Sequence, residues 1–132
     1  MDEAPVVAAK FPPTVKPGKV LTGYVTITFS EGLHGYQNPP SKDYLIPVSV
    51  SITTKGAKLK PIKYPAGQDE TVGGETKPVR VYEGTVKIPV SLTVPKKAGK
   101  LKLDFMVHYQ QCNQQNCFPP SDVAVSVPVT VK

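Results

Sequence analysis

The chain has 132 residues, with 16 Lys/Arg against 10 Asp/Glu for a net charge of +6, and it carries 15 prolines and 10 glycines. That length holds one domain with a hydrophobic core and is too short for a second, while the proline, glycine, valine and threonine content opposes long helices and favours short strands with frequent turns. No apolar run approaches the ~18 residues of a membrane-spanning helix.

Residues 1–10 read as a flexible lead-in, and residues 11–132 as the domain proper. The start, Met1-Asp2-Glu3-Ala4-Pro5, is acidic and has no apolar signal core. The protein is then either cytosolic or an excised piece of a longer precursor, and the placement of its cysteines tilts the reading toward an oxidising compartment. Pro12-Pro13 and Lys16-Pro17-Gly18-Lys19 mark a turn. After it Leu21, Val25, Ile27 and Phe29 share one parity and Thr22, Tyr24, Thr26 and Thr28 the other, the pattern of a half-buried strand.

Residues 30–43 form a loop holding His34, Tyr36 and Pro39-Pro40, long for a plain hairpin connection. The alternation of Tyr44, Ile46, Val48, Val50 and Ile52 predicts a strand over 44–53, with Pro47 forcing an edge or a bulge. A short strand is expected over 58–64 and a polar flap over 68–78, which carries Asp69, Glu70 and Gly73-Gly74. Three further alternating runs follow: Val86 to Val94, Leu101 to Tyr109, and Val123 to Val131. Each of these strands has one apolar side to hide, so two sheets must face each other. The fold class is all-β, an immunoglobulin-like β-sandwich whose hairpin carries both cysteines.

The positive charge looks dispersed, as in Lys55, Lys58, Lys60 and Lys63 or Lys96, Lys97, Lys100 and Lys102, and there is one arginine, Arg80. Such lysines read as a solvated face and edge-strand protection, or as attraction to an acidic partner or a membrane surface. A nucleic-acid surface, with arginines and exposed aromatics together, is not expected.

Cys112 and Cys117, the only two cysteines, lie at the tip between two of the alternating runs. A bridge between them closes a ring worth only about 2 kcal/mol of loop entropy before strain, so a stabilising staple would usually span more chain. The same closeness suits exchange, in which an incoming thiolate attacks one sulfur and the other leaves and later resolves the mixed disulfide. A passive loop clip is the plain alternative. The four-residue spacing with no second ligand pair argues against zinc, and copper(I) held by the two cysteines with Met106 and His108 is a minor alternative. His108 and His34 are each placed to influence a thiolate, although a surface histidine is the ordinary reading. Pro119 and Pro120 stiffen the loop exit and set Phe118 to cover one sulfur. No hydrolase elbow, nucleotide loop or metalloprotease helix is present, and no cofactor is expected.

The segment Val107-His108-Tyr109-Gln110-Gln111-Cys112, continued by Cys117-Phe118-Pro119-Pro120, resembles the active-site hairpin of the periplasmic N-terminal domain of the thiol:disulfide interchange protein DsbD family. Tyr64 to Glu70 with Gly73 is similar to that family's cap loop, Val81 to Val90 to the strand after it, and the loop holding His34, Tyr36 and Pro39 to a region beside its active site. The resemblance implies that Cys117 is the attacking sulfur and Cys112 the resolving one, with Asp69 and Glu70 at the cap-loop entrance and Tyr36 near the sulfurs. It also implies a soluble periplasmic or exported domain of an inner-membrane protein. Electrons would arrive from a thioredoxin-like domain of the same system, fed by a membrane-embedded electron-transfer domain. They would leave to oxidised periplasmic disulfide isomerases or cytochrome-maturation thiol proteins. Where relatives carry one or two shielding aromatics after the acidic pair, this chain has Thr71 and Val72. The expected function is protein-disulfide reduction, and the rival from another class is a noncatalytic β-sandwich adhesion or interaction module with a structural loop disulfide.

Overall fold

A computed structural model of the chain describes residues 4–71 and 78–132. Two four-stranded sheets face each other, and a third, smaller sheet leans on one end of the pair. The first sheet has the order β1 (Val6–Lys10), β3 (Val20–Thr28), β9 (Thr85–Thr93) and β6 (Lys58–Leu59). The second runs β2 (Thr14–Val15), β11 (Ser121–Val131), β10 (Gly99–Tyr109) and β5 (Ser49–Ile52). The third is β4 (Gly35–Tyr36), β8 (Val79–Tyr82) and β7 (Gln68–Glu70). The all-β, immunoglobulin-like sandwich expected from the alternation is what the chain forms.

The two-residue period produces this arrangement directly. In β3 and β9 the residues Leu21, Val25, Ile27, Val86, Ile88, Val90 and Leu92 are all buried. The residues between them, Thr22 and Ser91 or Thr28 and Thr85, join hydroxyl to hydroxyl at 2.9 Å on the outer face. From the opposite sheet Leu103, Phe105, Val107, Val129 and Val131 close the core. Each such side chain removed from water contributes roughly 1.5–3 kcal/mol. Phe11 stacks on Phe105 with ring centroids 5.4 Å apart, and Phe11 also lies over Gly23, where an added Cβ would collide with its ring.

Several local expectations are corrected. Residues 6–10 are no loose lead-in: β1 pairs with β3 along five residues, from Val6↔Thr28 to Lys10↔Tyr24. The strand expected over 44–53 begins only at Ser49, because Pro47 cannot donate to a ladder. Tyr44 is exposed, whereas Val48 is buried in the core and its N–H donates to Tyr36 O at 2.9 Å. The strand expected over 58–64 shrinks to Lys58–Leu59. The segment 81–90 is not one strand, since Gly84 adopts a φ of +62° and turns the chain between β8 and β9. Of the flap, Gln68–Glu70 is a strand and residues 72–77, with Val72 and Gly73-Gly74, lie outside the described residues.

Candidate functional site

The cysteine loop is built by its own asparagine. Asn113 Oδ1 accepts the N–H groups of Gln115 at 2.8 Å and Asn116 at 2.6 Å, a side-chain mimic of a backbone turn. The main chain closes behind it through Asn113 N–H to Asn116 O at 2.8 Å and Phe118 N–H to Gln111 O at 2.9 Å. This turn sets Cys112 and Cys117 across from each other with Cα atoms 4.0 Å apart, joined by a disulfide of 2.06 Å. The spacing Cys-Asn-Gln-Gln-Asn-Cys therefore encodes the bridge locally.

The two sulfur-bearing residues have opposite surroundings. Cys112 is 1% exposed, whereas Cys117 stands in the exposed rim of the loop. Cys112 is enclosed by Tyr36, Val79, Val81 and Leu45. The loop 30–43 supplies this cover: His34 and Cys112 exchange both backbone hydrogen bonds at 2.9 Å, and Gly35 and Tyr36 then pair with Tyr82 and Val81 of β8. Gly35 is required for that approach, since a Cβ there would fall 2.5 Å from the Phe29 ring. The long loop is thus a wedge under the disulfide, and β8 is its floor.

The Tyr36 side chain touches both sulfurs. Its buried hydroxyl donates to Cys112 Sγ at 3.2 Å and lies 3.6 Å from Cys117 Sγ. His34 shares the face of Tyr36 two residues on, and their rings meet edge to face with centroids 5.5 Å apart. As the cross-strand partner of Cys112, His34 has its Cβ about 5 Å from that of the cysteine. The imidazole is 2% exposed, and Nε2 has no hydrogen-bond partner among the described residues. Burial lowers the pKa of His34 below its ordinary value, against a smaller upward pull from the Glu70 carboxylate.

The acidic pair on β7 divides. Glu70 acts on His34, and strand alternation turns Asp69 to the other face, where it meets Arg80 at 3.3 Å on an exposed surface. Arg80 also donates to Gly67 O at 2.9 Å. Phe118 is partly exposed, its N–H and C=O held by Gln111 and Gln110. His108, expected as a possible influence on a thiolate, instead pairs with Asp122 at 2.8 Å on the outer face of the sheet. Among the described residues no three metal-ligating side chains gather. Sequence reasoning missed Val79 and the buried Gln111. The alternation Val79-Arg80-Val81 was the available signal for β8.

The lowered pKa of His34 has a measurable consequence. Its folded-state value lies below the unfolded 6.5, so the unfolded chain binds the extra proton in the interval between them. Stability contributed by neutral His34 is present above pH 6.5 and is lost as pH falls toward the folded value. Thermal midpoints measured from pH 7.5 down to 5 should fall more steeply for the wild-type chain than for His34→Gln. Parallel curves would show that His34 is not buried in its neutral form.

The chain is 28% identical over 87 residues to the thiol:disulfide interchange protein DsbD of Actinobacillus pleuropneumoniae serotype 5b (strain L20), a match covering 64% of this chain and 14% of that protein. Among solved structures it is similar to the N-terminal periplasmic domain of ScsB from Proteus mirabilis, with a TM-score of 0.66 at 13% identity over 90% of this chain and 44% of that one. A reduced-form N-terminal domain of DsbD from Neisseria meningitidis matches at a TM-score of 0.49 and 14% identity, over 94% of this chain and 89% of that one. The chain thus spans a small part of the curated relative it matches. The family model described as thiol:disulfide interchange protein DsbD, N-terminal, matches residues 3–128, and the chain belongs to that family.

Proposed function

We propose that this domain is a protein-disulfide reductase module in which Cys117 is the sulfur that meets partners and Cys112 the sulfur that resolves them. The observation that carries this reading is the asymmetry of the bridge, exposed at Cys117 and enclosed at Cys112. A purely structural clip, as in an adhesion module, has no use for an accessible sulfur. In the reductive direction the Cys117 thiolate attacks a partner disulfide, forming a Cys117–partner bond and releasing the partner's other sulfur as thiolate. The Cys112 thiolate then attacks Cys117 Sγ, restoring the Cys112–Cys117 bond and releasing the second partner thiolate. Two electrons pass to the partner, and the domain stays oxidised until a donor reverses the sequence.

The surrounding groups have distinct parts. A thiolate at buried Cys112 is disfavoured by desolvation, and the Tyr36 hydroxyl, already directed at its sulfur, offsets that cost. Neutral His34 is the cross-strand neighbour of Cys112, and the upward pull of the Glu70 carboxylate against burial supports a role in taking up the proton that Cys112 gives up. Asp69 serves the rim, where it fixes Arg80, and Phe118 belongs to the partner-facing edge of the loop. The domain would work in the periplasm as part of an inner-membrane protein. It would be re-reduced by a thioredoxin-like domain of the same system, itself supplied by a membrane-embedded electron-transfer domain. It would deliver electrons to oxidised disulfide isomerases or cytochrome-maturation proteins.

The test uses the reduced Cys112→Ala variant with oxidised glutathione as probe. A stable mixed disulfide at Cys117, mapped by mass spectrometry, is expected, together with a wild-type reduction potential above the roughly −300 mV below which structural bridges lie. No adduct and a potential below that limit would reduce the bridge to a clip.

A further inference from the structure

Lysines that look scattered along the sequence converge in the fold. β10 and β11 pair along eleven residues, so the cysteine loop and the opposite end of the sandwich are about 35 Å apart. At that far end three turns meet. The turn between β9 and β10 brings the exposed Lys96 and Lys97, with Lys100 just beyond. The turn between β2 and β3 brings Lys16 and Lys19, and is tied to the first by Gly18 N–H to Pro95 O at 3.1 Å and Val94 N–H to Lys19 O at 3.0 Å. The turn between β5 and β6 brings Lys55 and Lys58, and Lys55, Lys97 and Lys100 surround one shallow cleft.

Among the described residues the acids go elsewhere. Asp104 lies within β10 and is engaged by Lys102 at 3.7 Å and by Ser126. Glu31, Glu83, Glu70, Asp69 and Asp122 lie in the turns and strand ends on the cysteine side, where Arg80 is taken up by Asp69. Among the described residues, none of the lysines at the end away from the disulfide is in a salt bridge, and the carboxylates lie mainly toward the other end.

We propose that the lysine-bearing end rests on an anionic phospholipid bilayer and points the cysteine loop away from it. The cations are lysines on three separate turns, without the arginine forks that build a discrete phosphate pocket. They spread their charge over three adjoining turns, an arrangement suited to a sheet of negative charge, to which basic clusters are drawn additively. At physiological salt the Debye length is about 8 Å, so the lysines of this one end sense the surface and the cysteine loop does not. This inference is independent of the exchange chemistry.

The oxidised wild-type protein is to be sedimented with vesicles of equal phosphatidylglycerol and phosphatidylcholine, and with phosphatidylcholine alone. Binding to the first only, lost by about 0.5 M salt, is expected. The triple substitution K96E/K97E/K100E should weaken it by at least roughly a hundredfold at low salt, while K42E/K87E, elsewhere on the fold, should change it several-fold less. Orientation is read from a headgroup-level quencher. A fluorophore on Cys117 of the Cys112→Ala variant should stay bright, whereas one on Ala98→Cys in a chain lacking the native cysteines should be quenched. Failure to bind anionic vesicles, equal sensitivity to both sets of charge reversals, or quenching at Cys117 equal to that at position 98 would each overturn the proposal. Circular dichroism of the triple variant separates lost binding from lost folding.

Discussion

Replacing Cys117 by serine is expected to bring the reduction of a partner disulfide down to the uncatalysed background, a loss on the order of a thousandfold or more. The nucleophile in exchange is a thiolate, and a serine hydroxyl stays protonated and unreactive at neutral pH. The remaining Cys112 cannot take over, because it is 1% exposed beneath Tyr36, Val79 and Val81. A protein-sized disulfide has no route to it without opening the loop 30–43. Single-turnover mixing of reduced Cys117→Ser with a disulfide-bonded peptide, quenched in acid and resolved by mass, measures the effect. The opposite variant, Cys112→Ser, should consume one equivalent of the peptide at near wild-type rate and then stop as the mixed species. Equal rates for both single variants would mean that the two sulfurs are equally reachable, and the assigned roles would fall.

The roles proposed for the two sulfurs depend on features that the sequence displays to different degrees. Strands such as β9 and β10 were legible because Val86, Ile88, Val90 and Leu92, or Leu103, Phe105 and Val107, alternate with polar residues and all proved buried. The cysteine loop was legible because its turn is local: Asn113 and the two cysteines lie within six residues. β1 was not, since Val6-Val7-Ala8-Ala9-Lys10 shows no polar alternation and gains its place only by pairing with β3 some twenty residues later. β4 is two residues long and has no period to read. The family resemblance placed Tyr36 near the sulfurs, but the contact spans 76 residues of chain, and no local pattern states that a loop will fold under a distant hairpin. The separation of Asp69 from Glu70 follows from alternation once β7 is known to be a strand. The lysine-rich end escaped for the same reason as the Tyr36 contact, because only topology brings three turns together.

The second large effect is expected at Tyr36, where two substitutions separate packing from hydrogen bonding. Tyr36→Ala empties a buried site bordered by Val79, Val81 and Cys112, and truncation of a buried aromatic costs about 3–5 kcal/mol. Urea unfolding of the oxidised protein should report that loss as a lower midpoint. Tyr36→Phe keeps the ring, so most of the stability remains, and removes only the hydroxyl that lies 3.2 Å from Cys112 Sγ and 3.6 Å from Cys117 Sγ. A hydrogen bond to a charged group is worth about 1.5–3 kcal/mol, and here it favours the thiolate of Cys112. Its removal should raise the Cys112 thiol pKa and slow the resolving step at pH 7 by roughly tenfold or more, while the first attack through Cys117 changes less. Stopped-flow decay of a preformed Cys117 mixed disulfide, followed across pH, distinguishes this from a packing defect: the rate of Tyr36→Phe should recover toward wild type as pH rises and ionises the thiol without help. A rate that stays low at every pH would assign Tyr36 to packing alone.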